Sequence, residues 1–201
     1  MKNVKSDQLR IYIPEECVVF CKTKEAFGGY SNMCAGYSLI VNNIEIRTSE
    51  ALYQACRFPD YPNIQKIIIS QKSPMSAKMK SKPHRKDCNR PGWEWQQVFV
   101  MRWCLRVKLL QNWDKFSALL LESGDLPIVE KSNKKDQYWA ATVNKEGKLV
   151  GQNFMGRLTM ELRENIRNGK DEMSNDFTVL YPLLIPNFLL YGEEIQEIWR
   201  K

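Results

Sequence analysis

Apolar positions along the chain alternate between two periods, and the switches between them outline the predicted elements. From Asn153 onward Met155, Leu158, Leu162 and Ile166 fall at i, i+3, i+7 and i+11. That spacing buries one face of a helix and turns Arg157 and Glu161 away from it. Val98, Met101, Leu105 and Leu109 mark a long central helix, a packing scaffold with Arg102 and Arg106 on its flank, and Lys115 to Glu122 continues helical to Gly124, a natural left-handed cap. Ile64, Ile67 and Ile68 make the stretch from Pro62 to Lys72 amphipathic. Thr48-Ser49 caps a helix that runs to Phe58 and is stopped by Pro59, with Leu52, Ala55 and Cys56 on its buried side. Ser73-Pro74 opens another, with Ser as cap and Pro at the first helical position.

Shorter runs read as strands. Val18-Val19-Phe20 is one, and Leu126 to Glu130 another. Ser38 to Val41 and Ile44 to Arg47 flank Asn42-Asn43, a hairpin signal because Asn tolerates left-handed turn positions. The tail after Asn165 is polar, then apolar with prolines, and ends in a short predicted helix around Ile195 to Trp199. The fold class that follows is α+β, one domain over residues 1–201.

Composition narrows the picture. The 201 residues suffice for a core without disulfides. No repeat is present, the first ten residues lack the apolar stretch of a secretory signal, and no apolar run reaches the roughly eighteen residues of a membrane span. The stretch Thr178 to Tyr191 is broken by Pro182 and Pro186 and reads as buried edge structure. Six scattered cysteines read as reduced thiols of a cytoplasmic protein. The pair Cys17 and Cys21 has only His84 to complete a metal site, so no metal is expected. The net charge is +7, and Lys78, Lys80, Lys82, Arg85, Lys86 and Arg90 crowd a segment with the single acid Asp87. Such a run is either a solvated loop or a site for a phosphate-bearing ligand or nucleic acid.

Polar residues with chemical capacity cluster in four stretches. Phe27 to Met33 carries two glycines beside Ser31 and Asn32. Glu50, Gln54 and Arg57 share one helix face with Tyr53 beside them, an arrangement open to a surface ion pair as well as to a site. Trp93 and Trp95 follow the basic segment, as stacking platforms or as core anchors. The segment from Ile128 to Arg163 brings Glu130, Asp136, Trp139 and Asn153 to a helix N-terminus, where exposed N–H groups favour an anion.

Taken in order, these pieces resemble the NADAR (YbiA-like) family of NAD- and ADP-ribose-associated N-glycosidases. The resemblance rests on Gly29-Tyr30-Ser31-Asn32, Ser49-Glu50-Ala51-Leu52-Tyr53-Gln54-Ala55, Ser73-Pro74 with Ala77-Lys78, Arg90 with Trp93, Ile128-Val129-Glu130, Asp136 with Trp139, and Gly151 to Arg163. It covers about residues 18–165 and leaves 166–201 as a C-terminal extension packing on the domain. Tyr30 and Met33 stand where phenylalanine is usual, Arg57 where lysine is frequent, and Ala140 where glycine is expected.

The resemblance implies a mostly helical α+β domain with a small antiparallel component that cleaves an N-glycosidic bond to ribose without a cofactor. The implied substrates are ADP-ribose on guanine of DNA or RNA, or phosphorylated N-ribosides of the riboflavin pathway. Glu50, Asp136 and Lys78 are the expected catalytic groups: two carboxylates to orient water or stabilise the ribosyl cation, and an amine that either forms a Schiff base at C1′ or binds phosphate, with Lys86 behind it. Gly29, Ser31, Asn32, Tyr53, Gln54, Lys86, Arg90, Trp93, Trp139, Gly151 and Asn153 are the expected substrate contacts. A non-catalytic ADP-ribose reader and a basic nucleic-acid-binding protein are the competing expectations.

Overall fold

The computed structural model describes residues 9–201, so the N-terminal stretch read above as lacking a secretory signal lies almost wholly outside the described residues. The elements run β1 (Arg10–Tyr12), β2 (Val18–Phe20), β3 (Leu39–Val41), β4 (Ile44–Ile46), α1 (Ser49–Ala55), α2 (Pro62–Ile69), α3 (Pro74–Ser81), α4 (Trp93–Gln111) and α5 (Trp113–Glu122). There follow β5 (Ile128–Glu130), β6 (Thr142–Val143), β7 (Leu149–Gly151), α6 (Phe154–Arg167), β8 (Ser174–Asn175), β9 (Val179–Leu180), β10 (Leu189–Leu190), β11 (Glu193–Glu194) and β12 (Ile198–Trp199). The fold is α+β. Contacts group the chain into two compact units, one of the residues up to Ser31 with Ser117–Asn168, the other of Asn32–Phe116 with Gly169–Lys201.

In the first unit, β1, β7 and β6 form an antiparallel sheet in that order. β2 and β5 instead run parallel, with Val18 opposite Ile128, the one departure from the expected antiparallel pattern among the described strands. Val129, Ala141 and Leu149 form a small core under Tyr12, Cys17 and Val19. α6 lies against β5 so closely that a Cβ on Gly156 would stand 2.1 Å from the Ile128 carbonyl oxygen. Only glycine permits that approach.

In the second unit, α1 packs against α2, α3 and α4. Thr48 caps α1 by accepting the Ala51 N–H, and Ser73 caps α3 by accepting that of Ser76, as the sequence predicts. Asn42 and Asn43 both adopt positive φ in the β3–β4 hairpin. Three expectations are corrected. α4, buried nearly all round from Val100 to Leu110, is the central helix that the apolar set marks, but Arg106 is not on an open flank. Arg106 is buried within it and pairs with the buried Asp171 at 2.8 Å. α2 buries Gln65, Ile68 and Ile69 while Ile67 is exposed, because Gln65 bridges the backbone of Ala55, Leu189 and Tyr191 and fixes which face turns inward. The predicted C-terminal helix is strand β12 instead, with Ile198 opposite Leu180 and Trp199 opposite Val179. Pairing at the edge of the three-stranded sheet β12-β9-β8 satisfies backbone groups that a single isolated helical turn would leave open.

The C-terminal residues are tied to this second unit. Trp103 Nε1 donates to the Tyr181 carbonyl at 2.9 Å, and α4 meets both β9 and β12. Among the described residues no helix is long and apolar enough to cross a membrane.

Candidate active site

Glu50 is the centre of the second unit's polar interior. It occupies the first turn of α1, its backbone N–H donates to the Asn32 carbonyl at 2.9 Å, and its side chain is buried. The carboxylate is held by two amides. Asn32 Nδ2 donates to Oε2, and Gln54 Nε2, one helical turn on, donates to Oε1 at 2.9 Å. The surface ion pair that the sequence leaves open is therefore not what forms.

Behind Gln54 stands a cation. Gln54 Oε1 accepts from Ser81 Oγ at 2.9 Å and from Arg85 Nη2 at 3.2 Å, and Arg85 also donates to Ser81 Oγ at 2.8 Å. The amide dipole of Gln54 thus points its oxygen at the guanidinium and its N–H at the carboxylate, so that positive charge is relayed to Glu50 through one side chain. Burial pushes the Glu50 carboxyl above the ordinary carboxylate range, against the pull of the Lys78 ammonium, the two amides and Arg85. A buried carboxyl shifted upward by desolvation beside named cations is the signature of a group tuned for proton transfer or charge stabilisation.

An aromatic wall adjoins it. The Tyr53 and Trp93 rings lie 5.2 Å apart, and the Arg57 guanidinium sits 4.4 Å over Trp93. Burial drives the Tyr53 phenol upward and the Arg57 guanidinium downward. Trp93 Nε1 and Arg57 Nε are buried without a hydrogen-bond partner among the described residues. Of the two tryptophans, Trp93 is 3% exposed and Trp95 83%, so only the first belongs to the interior.

The structure thus brings Glu50, Asn32, Tyr53, Gln54, Lys78 and Trp93 together in one unit. It gives other expected residues different occupations. Arg90 donates from Nη2 to the Pro186 carbonyl and from its backbone N–H to the Arg57 carbonyl, while its Nε and Nη1 are buried without a hydrogen-bond partner among the described residues. Lys86 is exposed on the turn after α3, whereas Arg85 turns inward. The sequence alone does not single out Arg85 and Ser81 as site residues, because a run of cations does not say which one faces inward. The spacing of Ser81 and Arg85, four residues apart, was the available signal.

In the first unit, Gly29 lies within a 3-10 turn over Gly28–Tyr30, and Ser31 is buried immediately after it. Tyr30 accommodates its hydroxyl by donating to the Leu119 carbonyl at 2.7 Å. Asp136 Oδ1 accepts the backbone N–H groups of Tyr138 and Trp139, so this carboxylate shapes the turn that carries Trp139. The Trp139 ring meets Tyr138 and Phe154 edge to face. Gly151 is required by the closeness of Ala140, whose carbonyl oxygen would lie 2.2 Å from an added Cβ.

Two expectations fail here. Asn153 is wholly buried and spends its side chain on strand β5, accepting from the Glu130 N–H at 3.0 Å and donating to the Ile128 carbonyl at 2.9 Å, so its amide is committed to the fold and not presented to a ribose. The α6 N-terminus offers no general anion site either. The N–H groups of Asn153, Phe154 and Met155 go to the carbonyls of Ala140, Tyr138 and Trp139. Among the described residues no group of three or more His, Cys, Asp or Glu side chains is placed to hold a metal ion.

With this geometry in place, three likenesses bear on the chain. A family model described as the NADAR domain matches residues 19–167. An N-glycosidase of Nostoc punctiforme is 28% identical over 153 residues, 75% of this chain and 93% of that relative. The NMR structure of the E. coli protein YbiA superposes with a TM-score of 0.64 at 31% identity, covering 82% of this chain and 93% of that one.

Proposed function

The chain belongs to the NADAR domain family, and from that premise we propose that it is a hydrolase of the C1′–N bond of a phosphorylated riboside, with Glu50 as the principal catalytic carboxylate. The observation that carries this reading is the buried Glu50 carboxyl, clamped by Asn32 and Gln54 and flanked by Lys78 and Arg85. The N-glycosidase among its relatives supports the reaction type. The substrate class is ADP-ribose on guanine of nucleic acid or an N-riboside phosphate of the riboflavin pathway.

Cleavage sends the C1′–N electron pair to the base nitrogen and leaves cationic character on the ribose. A rigidly held carboxylate stabilises that charge and takes a proton from the water whose oxygen adds to C1′, and the proton then passes to the departing base. The raised affinity of Glu50 for a proton suits both halves of that transfer. Trp93 and Tyr53 supply an aromatic surface for the base, and Trp93 Nε1 and Arg57 supply donors for its polar edge. Lys78 supplies a point charge for a phosphate. If its amine instead attacks C1′, borohydride treatment during turnover traps a ribosyl adduct on Lys78.

The test incubates wild type and Glu50→Gln with guanine-ADP-ribosylated DNA and, separately, with a riboflavin-pathway N-riboside phosphate, and weighs the released products. Glu50→Gln lowers base release by at least about 100-fold with substrate binding retained. Turnover in that variant within a few-fold of wild type refutes the assignment.

A further inference from the structure

We propose that the segment from Lys131 to Lys135, in the first unit, is a binding site for the phosphodiester backbone of a nucleic acid. A cavity of about 510 Å³ is lined there by Lys131, Ser132, Lys134, Lys135, Gln137 and Thr142 among others, and no carboxylate lines it. The floor is fixed. Lys131 bridges Ala141, the Ser132 N–H donates to the Ala141 carbonyl at 2.8 Å, and Gln137 Nε2 donates to Thr142 Oγ1 at 3.0 Å and to the Val150 carbonyl at 3.2 Å. Lys134 and Lys135 are exposed.

The acids nearby are engaged elsewhere. Glu25, which feels the charge of Lys131, is held below the ordinary carboxylate range chiefly by the Lys22 backbone N–H. Asp136 turns its Oδ1 to the backbone of Tyr138 and Trp139. Ser132 Oγ already accepts the Lys134 N–H at 3.1 Å, which leaves its own proton to donate.

Three lysines, a hydroxyl and two further polar side chains around an open hollow suit phosphate oxygens. They lack the planar guanidinium fork or the helix N-terminus that grips one phosphate in a fixed pose. Flexible point charges strung over five residues suit a run of phosphates read without regard to sequence. The inference rests on the phosphorylated-riboside reading above and narrows the carrier of that riboside to nucleic acid.

Fluorescence anisotropy with an unmodified 12-nucleotide single-stranded DNA tests it without calling on catalysis. Lys134→Gln/Lys135→Gln weakens binding by about tenfold and flattens the slope of log K against log salt by about 1.4, or roughly 0.7 for each phosphate no longer neutralised. Lys72→Gln/Lys170→Gln, which removes the same charge from the other unit, leaves both within twofold of wild type. The readout is binding of an unmodified strand and not base release, so failure of this proposal and failure of the catalytic assignment are distinguishable. Equal losses in the two lysine double variants would overturn the proposal, since binding would then follow net charge alone. Inorganic pyrophosphate bound as tightly as the 12-mer would overturn it as well, because the hollow would then be a discrete phosphate pocket.

Discussion

Gln54 donates to Glu50 from one turn further along α1 and accepts from Arg85 with its other amide atom. One neutral side chain therefore couples a buried carboxylate to a cation that makes no direct hydrogen bond to it among the described residues. Removing any one of the three changes the electrostatic balance of the other two.

Arg85 is in this sense a positioning residue. Arg85→Met strips the relayed charge, so the Glu50 carboxyl binds its proton more tightly still. The acidic limb of the pH profile of kcat/KM then moves to higher pH, and Arg85→Lys restores part of the shift. A purely structural role would lower the rate at every pH and leave the limb where it was.

Glu50 also sets a pH dependence of stability. Its folded-state pKa lies above the unfolded value, so the native state holds the proton more tightly, and stability falls as pH rises from the ordinary carboxylate range through the folded pKa. Glu50→Gln lacks this loss. Its own misfit is independent of pH: the new amide presents donor hydrogens to Asn32 or Gln54. Urea unfolding across a pH series shows the variant gaining on wild type as pH rises through that window, with a constant difference in stronger acid. A variant that instead loses ground to wild type as pH rises through that window contradicts the assignment.

Lys108 gives the opposite slope. It is wholly buried in α4, with Nζ 4.2 Å from the Tyr37 ring centre and 4.3 Å from that of Phe116, and Lys115 shares the Tyr37 ring at 4.3 Å. Burial lowers its pKa to about 7 from 10.5, with Lys115 adding to the shift and Cys34 opposing it. Its folded pKa is below the unfolded one, so its contribution to stability is fully present above about 10.5 and lost as pH falls to 7. Lys108→Met, which keeps the stem between the rings, is therefore more stable than wild type at pH 7 and below. The difference is on the order of a few kcal/mol, at about 1.4 kcal/mol per pKa unit, and it shrinks steadily towards pH 10.5. Thermal melts at intervals over that range measure it.

Asn153 ties α6 to β5 through both ends of its amide. Asn153→Ala orphans the Glu130 N–H and the Ile128 carbonyl inside the first unit and strains a backbone at φ +51°. The expected loss is about 2–4 kcal/mol, from roughly 1–3 kcal/mol per unsatisfied buried group. Asn153→Asp retains the acceptor and loses less. Chemical denaturation gives both values, and a cost under about 0.5 kcal/mol for alanine would remove the structural role.

Local rules written in the sequence determined a good part of this molecule. The caps at Thr48 and Ser73, the Asn42-Asn43 turn, the glycine stop at Gly124 and the apolar stripe of α6 each depend on a few neighbouring residues, so the chain specifies them before it folds. Glu50 and Gln54 share a helix face for the same reason: four residues along a helix is one turn. What only tertiary structure decided is which polar groups meet partners from elsewhere. The chain could not tell that Arg85 and not Lys86 turns towards Gln54, that Asn153 is consumed by a strand more than twenty residues earlier, or that Arg106 leaves the flank of α4 to find Asp171. Those outcomes are fixed by desolvation. A buried polar atom must find a partner wherever packing offers one, and local periodicity carries no record of what the rest of the chain will bring.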